Sequence, residues 1–196
     1  MPINNLNDLL SLYEESGQLQ YAGEPVNQIE HAWQSMQWAA KVNASASMQL
    51  AAFFHDLGHL FQQVAGSPTL QGVDDKHERI GSAILERVFD SSVSVPVALH
   101  VDAKRYLVSV DRSYMSQLSD DSIRSLELQG GPMTQAEQGR FKANPFWRHA
   151  VKLRQWDERS KEAGRSIPDM SEIKAFLSAL ANGRHELKPM RLAMPR

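Results

Sequence analysis

Apolar residues recur at helical spacing along most of the chain, and no stretch reads as a strand hairpin. In "NLNDLLSLYEESG" they fall at Leu6, Leu9, Leu10 and Tyr13, with Gly17 as a natural stop. Pro25 is expected to open "PVNQIEHAWQSMQWAAKVNA", because proline is tolerated in a first helical turn. Ser45 or Ser47 can cap one continuous helix over "SMQLAAFFHDLGHLFQQV". After a loop, "AGSPTLQG", a further helix is expected in "DDKHERIGSAILERVF", with acids at its positive end. "SVPVALHVDAKRYLVSV" keeps the same spacing through Val97, Leu99, Val101, Tyr106 and Leu107 and reads as one helix. Ser119 caps a short helix ending at Gly130-Gly131, then come "TQAEQGRFKAN", "PFWRHAVKLRQWDERSK" and a last helix begun by Pro168. The pattern predicts an all-α helical bundle.

A chain of 196 residues suits one domain, read as residues 1–183 followed by a polar, Pro-containing tail over 184–196. Charges nearly balance, 21 Lys and Arg against 23 Asp and Glu, and no basic tract points to nucleic acid. No basic amphipathic face or apolar run near ~20 residues points to a membrane, and the acidic N-terminus is unlike a signal peptide. The expected state is cytoplasmic, a monomer or weak homo-oligomer acting on small molecules. The absence of cysteine excludes disulfides, thiolate nucleophiles and Fe–S clusters, so any metal must be held by His, Asp, Glu or Tyr.

The stretch "AAFFHDLGHLF" sets His55, Asp56 and His59 in an apolar run. Burying even a neutral polar group without a partner costs roughly 2–7 kcal/mol. Further histidines sit in other helical segments, His31 in "QIEHAW", His77 in "DKHERIG" and His100 in "VALHVDAK", and Asp157 follows in "LRQWDERSK". Singly, His77 and Asp157 would read as solvated residues, and His149 and His185 as ordinary core or surface histidines. A bundle can nevertheless converge side chains of separate helices on one point. A metal ion would accept neutral imidazoles and carboxylates together and remove the desolvation problem.

The ordered set His31, His55-Asp56, His77, His100, Asp157 resembles the HD-domain superfamily of helical metalloproteins, in its two-metal branch. The resemblance implies that Asp56 bridges two ions, one completed by His31, His55 and Asp157, the other by His77 and His100. Most HD proteins are phosphohydrolases of nucleotides or phosphomonoesters, and that activity, or a non-catalytic binding module, is the alternative. "YAGEPVNQIEHAWQ", "HVDAKRYLVSV", "SLELQGGPM" and "LRQWDERSK" together are similar to the small HD-domain oxygenases of phosphonate breakdown, relatives of myo-inositol oxygenase. That likeness implies two iron ions in a mixed-valent Fe(II)/Fe(III) pair, O2 as co-substrate, and oxidative C–P cleavage. The implied substrate is of the 2-amino-1-hydroxyethylphosphonate type, as primary amine or N-trimethyl form, giving glycine or glycine betaine plus phosphate. Chemistry agrees, since a C–P bond offers water no good leaving group.

The same resemblance gives the surrounding residues roles. Lys104, His59, Ser122 and Ser125 would hold the phosphonate, and Arg154 would grip it bidentately. Glu24 would take the substrate ammonium, Tyr21 would close over the metals or ligate one of them, and Gln28 would orient Glu24 or Tyr21. Asp56, His59 and Tyr21 are thus the implied catalytic residues. Lys161 reads as a solvated charge. Trp33 and Trp38, five apart, point in different directions and read as packing residues, not a cage.

Overall fold

The computed structural model describes residues 3–21, 23–61 and 68–183; the expected tail lies outside them. Ten α-helices follow in order among the described residues: α1 (Leu6–Ser16), α2 (Gln28–Lys41), α3 (Ala46–Phe54), α4 (His77–Leu85), α5 (Ser91–Ala98), α6 (His100–Val110), α7 (Asp120–Leu128), α8 (Gln135–Ala143), α9 (Trp147–Glu158) and α10 (Met170–Ala181). No helix among the described residues is long and apolar enough to cross a membrane.

Side-chain caps set several of these starts. Ser45 caps α3 by accepting from the Met48 N–H, and Ser119 caps α7 by accepting from Ser122. The starts of α2 and α10 differ from the sequence pattern. α2 begins at Gln28, not at Pro25, because Asn27 and Glu30 form a reciprocal capping box. Pro25 instead belongs to a tight loop that folds back on itself. There Tyr21 N–H donates to the Val26 carbonyl, and Gln28 N–H to that of Leu19, each at 3.0 Å. α10 likewise starts after its cap, Asp169.

The main core is built where α1, α2, α3, α5, α9 and α10 face one another, around Trp33, Phe53, Phe54, Leu153 and Leu177. Trp33 is fully buried there and Trp38 packs at its edge. Two smaller clusters fasten the remaining helices: Ala103, Met133, Phe141 and Ala150 between α6, α8 and α9, and Leu107, Tyr114, Leu118 and Leu126 between α6 and α7. The second holds the serine-bearing face of α7 over the bundle's interior.

Two helices expected to be continuous are broken, and both breaks carry chemistry. α3 stops after Phe54, and a tight 3-10 turn, Leu57–Phe61, follows His55 and Asp56. The turn lies so close to the start of α4 that a Cβ on Gly58 would stand 2.0 Å from the His77 carbonyl oxygen. Only glycine allows that approach. The expected helix over 94–110 is likewise divided at Leu99, so that His100 becomes the first residue of α6. Continuous apolar spacing concealed both junctions, because core burial continues across them.

Candidate metal centre and substrate cavity

His31 arrives from α2, His55 and Asp56 from the end of α3, His77 from the first residue of α4, His100 from the first residue of α6 and Asp157 from the end of α9. All six are buried. Four of them surround one point. His31 Nε2 lies 3.2 Å from His55 Nε2, 3.5 Å from Asp56 Oδ2 and 3.4 Å from Asp157 Oδ1. His55 Nε2 lies 3.3 Å from the same Asp56 oxygen. The other Asp56 oxygen, Oδ1, faces a second point, 3.5 Å from both His77 Nε2 and His100 Nε2, which are themselves 3.1 Å apart. One carboxylate therefore presents one oxygen to each group.

The far sides of the rings decide what the near sides can do. His31 Nδ1 donates to the Ser160 carbonyl at 2.8 Å, His55 Nδ1 to Ala52 at 2.9 Å, and His100 Nδ1 to Val97 at 2.7 Å. His77 Nδ1 donates to Asp75 Oδ1 at 2.7 Å. Each neutral ring thus turns a lone pair inward on Nε2. Lone pairs about 3 Å apart repel unless a proton or a cation lies between them. Asp157 Oδ2 takes Arg154, but the buried Oδ1 has no hydrogen-bond partner. Inward lone pairs and an orphaned carboxylate oxygen are the donor set of a metal site, with the outer hydrogen bonds that orient metal-ligating histidines. The residues fit a pair of cations; imidazole and carboxylate suit Fe, Mn or Zn.

Charge follows the same geometry. Burial would raise the pKa of Asp56 and Asp157, yet His55 and His31 beside Asp56, and Arg154 beside Asp157, hold both well below the usual carboxylate range. Burial opposes an imidazolium at His55, but Asp56 and Asp157 outweigh it and push its pKa up to about 10. Burial, with His77 nearby, pushes His100 down to about 3. Burial holds the Tyr21 phenol well above its usual range, so it stays a donor, and it donates to Asp56 Oδ2 at 2.6 Å. Its ring stacks on His31 with centroids 4.2 Å apart.

A cavity opens beside the two points, lined in part by Tyr21, Glu24, Gln28, His59, Lys104, Ser122, Ser125, Arg154 and Lys161. Lys104 is buried and donates to Ser125 Oγ at 2.6 Å. His59 Nδ1 is held by Asp75 at 2.8 Å, leaving Nε2 for another group. Three sequence expectations change here. Arg154 is not free for a bidentate grip: Nε donates to the Tyr114 hydroxyl, Nη1 to Asp157, and Nη2 to Ser122 Oγ and Glu158. Of its five N–H donors one remains, on Nη1. Lys161 is not a solvated charge but a part-buried ammonium 2.8 Å from Glu24 Oε1. Glu24, expected to wait for a substrate amine, already faces that cation and accepts from Ser119 Oγ.

The sequence pattern gives no site role to Asp75, Ser119 or Glu158, and Ser119 reads there only as a helix cap. Asp75 joins His59 to His77. Glu158 accepts from the Ser119 N–H at 2.9 Å and from Arg154. Spacing held a signal for Asp75 and Glu158: Asp75 stands two residues before His77, and Glu158 lies one turn after Arg154.

Curated relatives align over most of this chain. Hydroxymethylphosphonate dioxygenase of Gimesia maris is 41% identical over 172 residues, covering 87% of this chain and 85% of its own. The [1-hydroxy-2-(trimethylamino)ethyl]phosphonate dioxygenase (glycine-betaine-forming) of Leisingera caerulea is 36% identical over 159 residues, covering 81% of each. The chain belongs to the hydroxyphosphonate dioxygenase family. A third relative, the mimivirus protein named "Uncharacterized protein L432", is 34% identical over 170 residues, covering 84% of this chain and 76% of its own. No family model matches the chain. Within this family the paired donor groups around Asp56 are the arrangement to be accounted for.

Proposed function

We propose that the protein is a diiron dioxygenase that cleaves the C–P bond of a 1-hydroxyalkylphosphonate. The overall reaction balances as R–CH(OH)–PO3H2 + O2 giving R–COOH and H3PO4. The class includes hydroxymethylphosphonate, 2-amino-1-hydroxyethylphosphonate, which would give glycine, and its N-trimethyl form, which would give glycine betaine. The observation carrying this reading is the division of Asp56 between two groups of inward-facing nitrogens, in a chain of this family.

His31, His55 and Asp157 would hold one iron, His77 and His100 the other, and Asp56 both. As an Fe(II)/Fe(III) pair the metals would supply substrate chelation and O2 activation. The chain's own part is positioning and charge. Lys104, with a donor to spare beyond Ser125, would meet a phosphonate oxygen. His59 Nε2, its ring fixed through Asp75, and the remaining Nη1 donor of Arg154 would meet others. Ser122 and Ser125 tie Arg154 and Lys104 to α7, keeping both cations on one side of the cavity. Tyr21, which donates to Asp56 Oδ2, would cover the metals and keep water out until the substrate takes its place. Gln28, the first residue of α2, would close the same wall.

The test is O2 uptake with release of phosphate from hydroxyalkylphosphonates by the iron-loaded protein. Electron paramagnetic resonance should show a coupled Fe(II)/Fe(III) signal that these compounds perturb. Rapid anaerobic turnover of a phosphomonoester with Mn or Mg, with no O2 consumed on any hydroxyphosphonate, would replace the proposal by a phosphohydrolase.

A further inference from the structure

Glu24 is carried on the tight loop between α1 and α2, and Lys161 lies just beyond α9, yet both meet inside the cavity wall. Their side chains are only 6% and 10% exposed. Besides Glu24, Lys161 Nζ reaches Ser119 Oγ and Ser122 Oγ at 3.1 Å each and Glu158 Oε1 at 3.4 Å. Three ammonium hydrogens thus have four acceptors, and none is left seeking a partner. Burial works against the charge on Lys161, but Asp157 and Glu158 outweigh it and raise its pKa, so the group is a cation. Of the other acids lining the cavity outside the metal site, Asp75 is engaged with His59 and His77 and Asp121 with Arg124, while Asp74, on the segment before α4, accepts from the Lys76 N–H. A substrate ammonium approaching Glu24 would meet a carboxylate already neutralised and a like charge beside it, which disfavours that partner.

We propose that Lys161 is a specificity-determining residue: by occupying Glu24 it makes the cavity select 1-hydroxyphosphonates that carry no cationic group beside the carbinol carbon. This rests on the function proposed above and names the substrate within its class. An uncharged substituent, or hydrogen alone as in hydroxymethylphosphonate, fits such a wall; an ammonium or trimethylammonium group does not.

The experiment pairs two readouts on the iron-loaded protein. Anaerobic calorimetry gives Kd, and phosphate release under O2 gives kcat and KM, for hydroxymethylphosphonate, 1-hydroxyethylphosphonate and 2-amino-1-hydroxyethylphosphonate. The amine-free compounds should bind and turn over with about tenfold advantage or more, the range that one uncompensated charge readily produces. Lys161→Met should shift that ratio toward the amine, through Kd and KM more than kcat. Should Lys161→Met fold poorly, Glu24→Gln decides: it should change amine-free and amine-bearing substrates in the same proportion. A wild-type preference for the amine, equal affinity for all three, or a Glu24→Gln loss confined to the amine would each overturn the inference. Absence of phosphate release from every compound would instead sink the oxygenase reading, while the binding ratio would still decide the role of Lys161.

Discussion

His59 stacks on His77 with ring centroids 4.0 Å apart and planes 22° from parallel. One carboxylate holds both rings, since Asp75 Oδ2 takes His59 Nδ1 and Oδ1 takes His77 Nδ1. A residue of the proposed phosphonate site and a residue of the proposed metal site therefore share a single anchor. Movement of either ring must be felt by the other.

Asp75→Asn keeps the shape of that anchor but removes its charge and one acceptor. Losing an outer partner of a metal-ligating histidine typically costs about 10–100-fold in metal affinity or activity. Iron bound at the His77–His100 side should fall first on dialysis, and the KM for a phosphonate should rise as well. His59→Asn separates the two effects: it should raise KM while metal content per chain stays near the wild-type value. Elemental analysis and steady-state kinetics on the same preparations check both.

Removing metal should weaken the fold, because the inward nitrogens and Asp157 Oδ1 would lose their shared partner. A ligand present at a hundredfold its Kd stabilises by about 2.7 kcal/mol. For a chain of this size that is a Tm change of roughly 5–11 °C, at about 2–4 °C per kcal/mol. Chelator-treated protein should melt lower by that order, and Fe(II) should restore it. Asp56→Ala should bind neither ion, so added iron should leave its Tm unmoved.

Burial takes the Lys104 ammonium out of water, Arg154 adds repulsion, and its pKa falls to about 7. Below about 7 the group is charged and attracts a phosphonate; above it the charge is lost, so kcat/KM should fall as pH rises, approaching tenfold per unit. Lys104→Met should have a higher KM and lack this limb. Subtracting its pH profile from the wild-type profile removes the substrate's own ionisation, which both proteins share.

The parts of the fold written locally could be read from sequence. Caps such as Ser45 and Ser119, and apolar spacing as in α1, act over a few residues. The chemistry-bearing residues stood out because His55 and Asp56 interrupt an apolar run that offers them no neighbour. Burial of charge was illegible, because it is a tertiary property. "LRQWDERSK" looks like a solvated face, although the positions of Glu158 and Lys161, three residues apart, are those of an ion pair. The helix break at His55 was hidden for a related reason: it depends on the backbone of α4, more than twenty residues further along the chain.

The break after Asp56 depends on the missing side chain of Gly58. A methyl group on Gly58 would stand 2.0 Å from the His77 carbonyl oxygen and 2.7 Å from its C and Cα atoms. All three are backbone atoms, so no side-chain rotation relieves the clash, and the turn after Asp56 must separate from the start of α4. Overpacking of this kind costs about 1–3 kcal/mol, a Tm loss of roughly 2–12 °C at this chain length. His77 would shift away from Asp56 Oδ1, so Gly58→Ala should lose iron from that side along with stability. Gly139→Ala is the matched control. It lies in α8 with nothing within 4 Å of its added carbon, and should stabilise by roughly 0.5–1 kcal/mol with full metal content. If Gly58→Ala instead keeps both the wild-type Tm and two ions per chain, the close approach is not what fixes His77 in place.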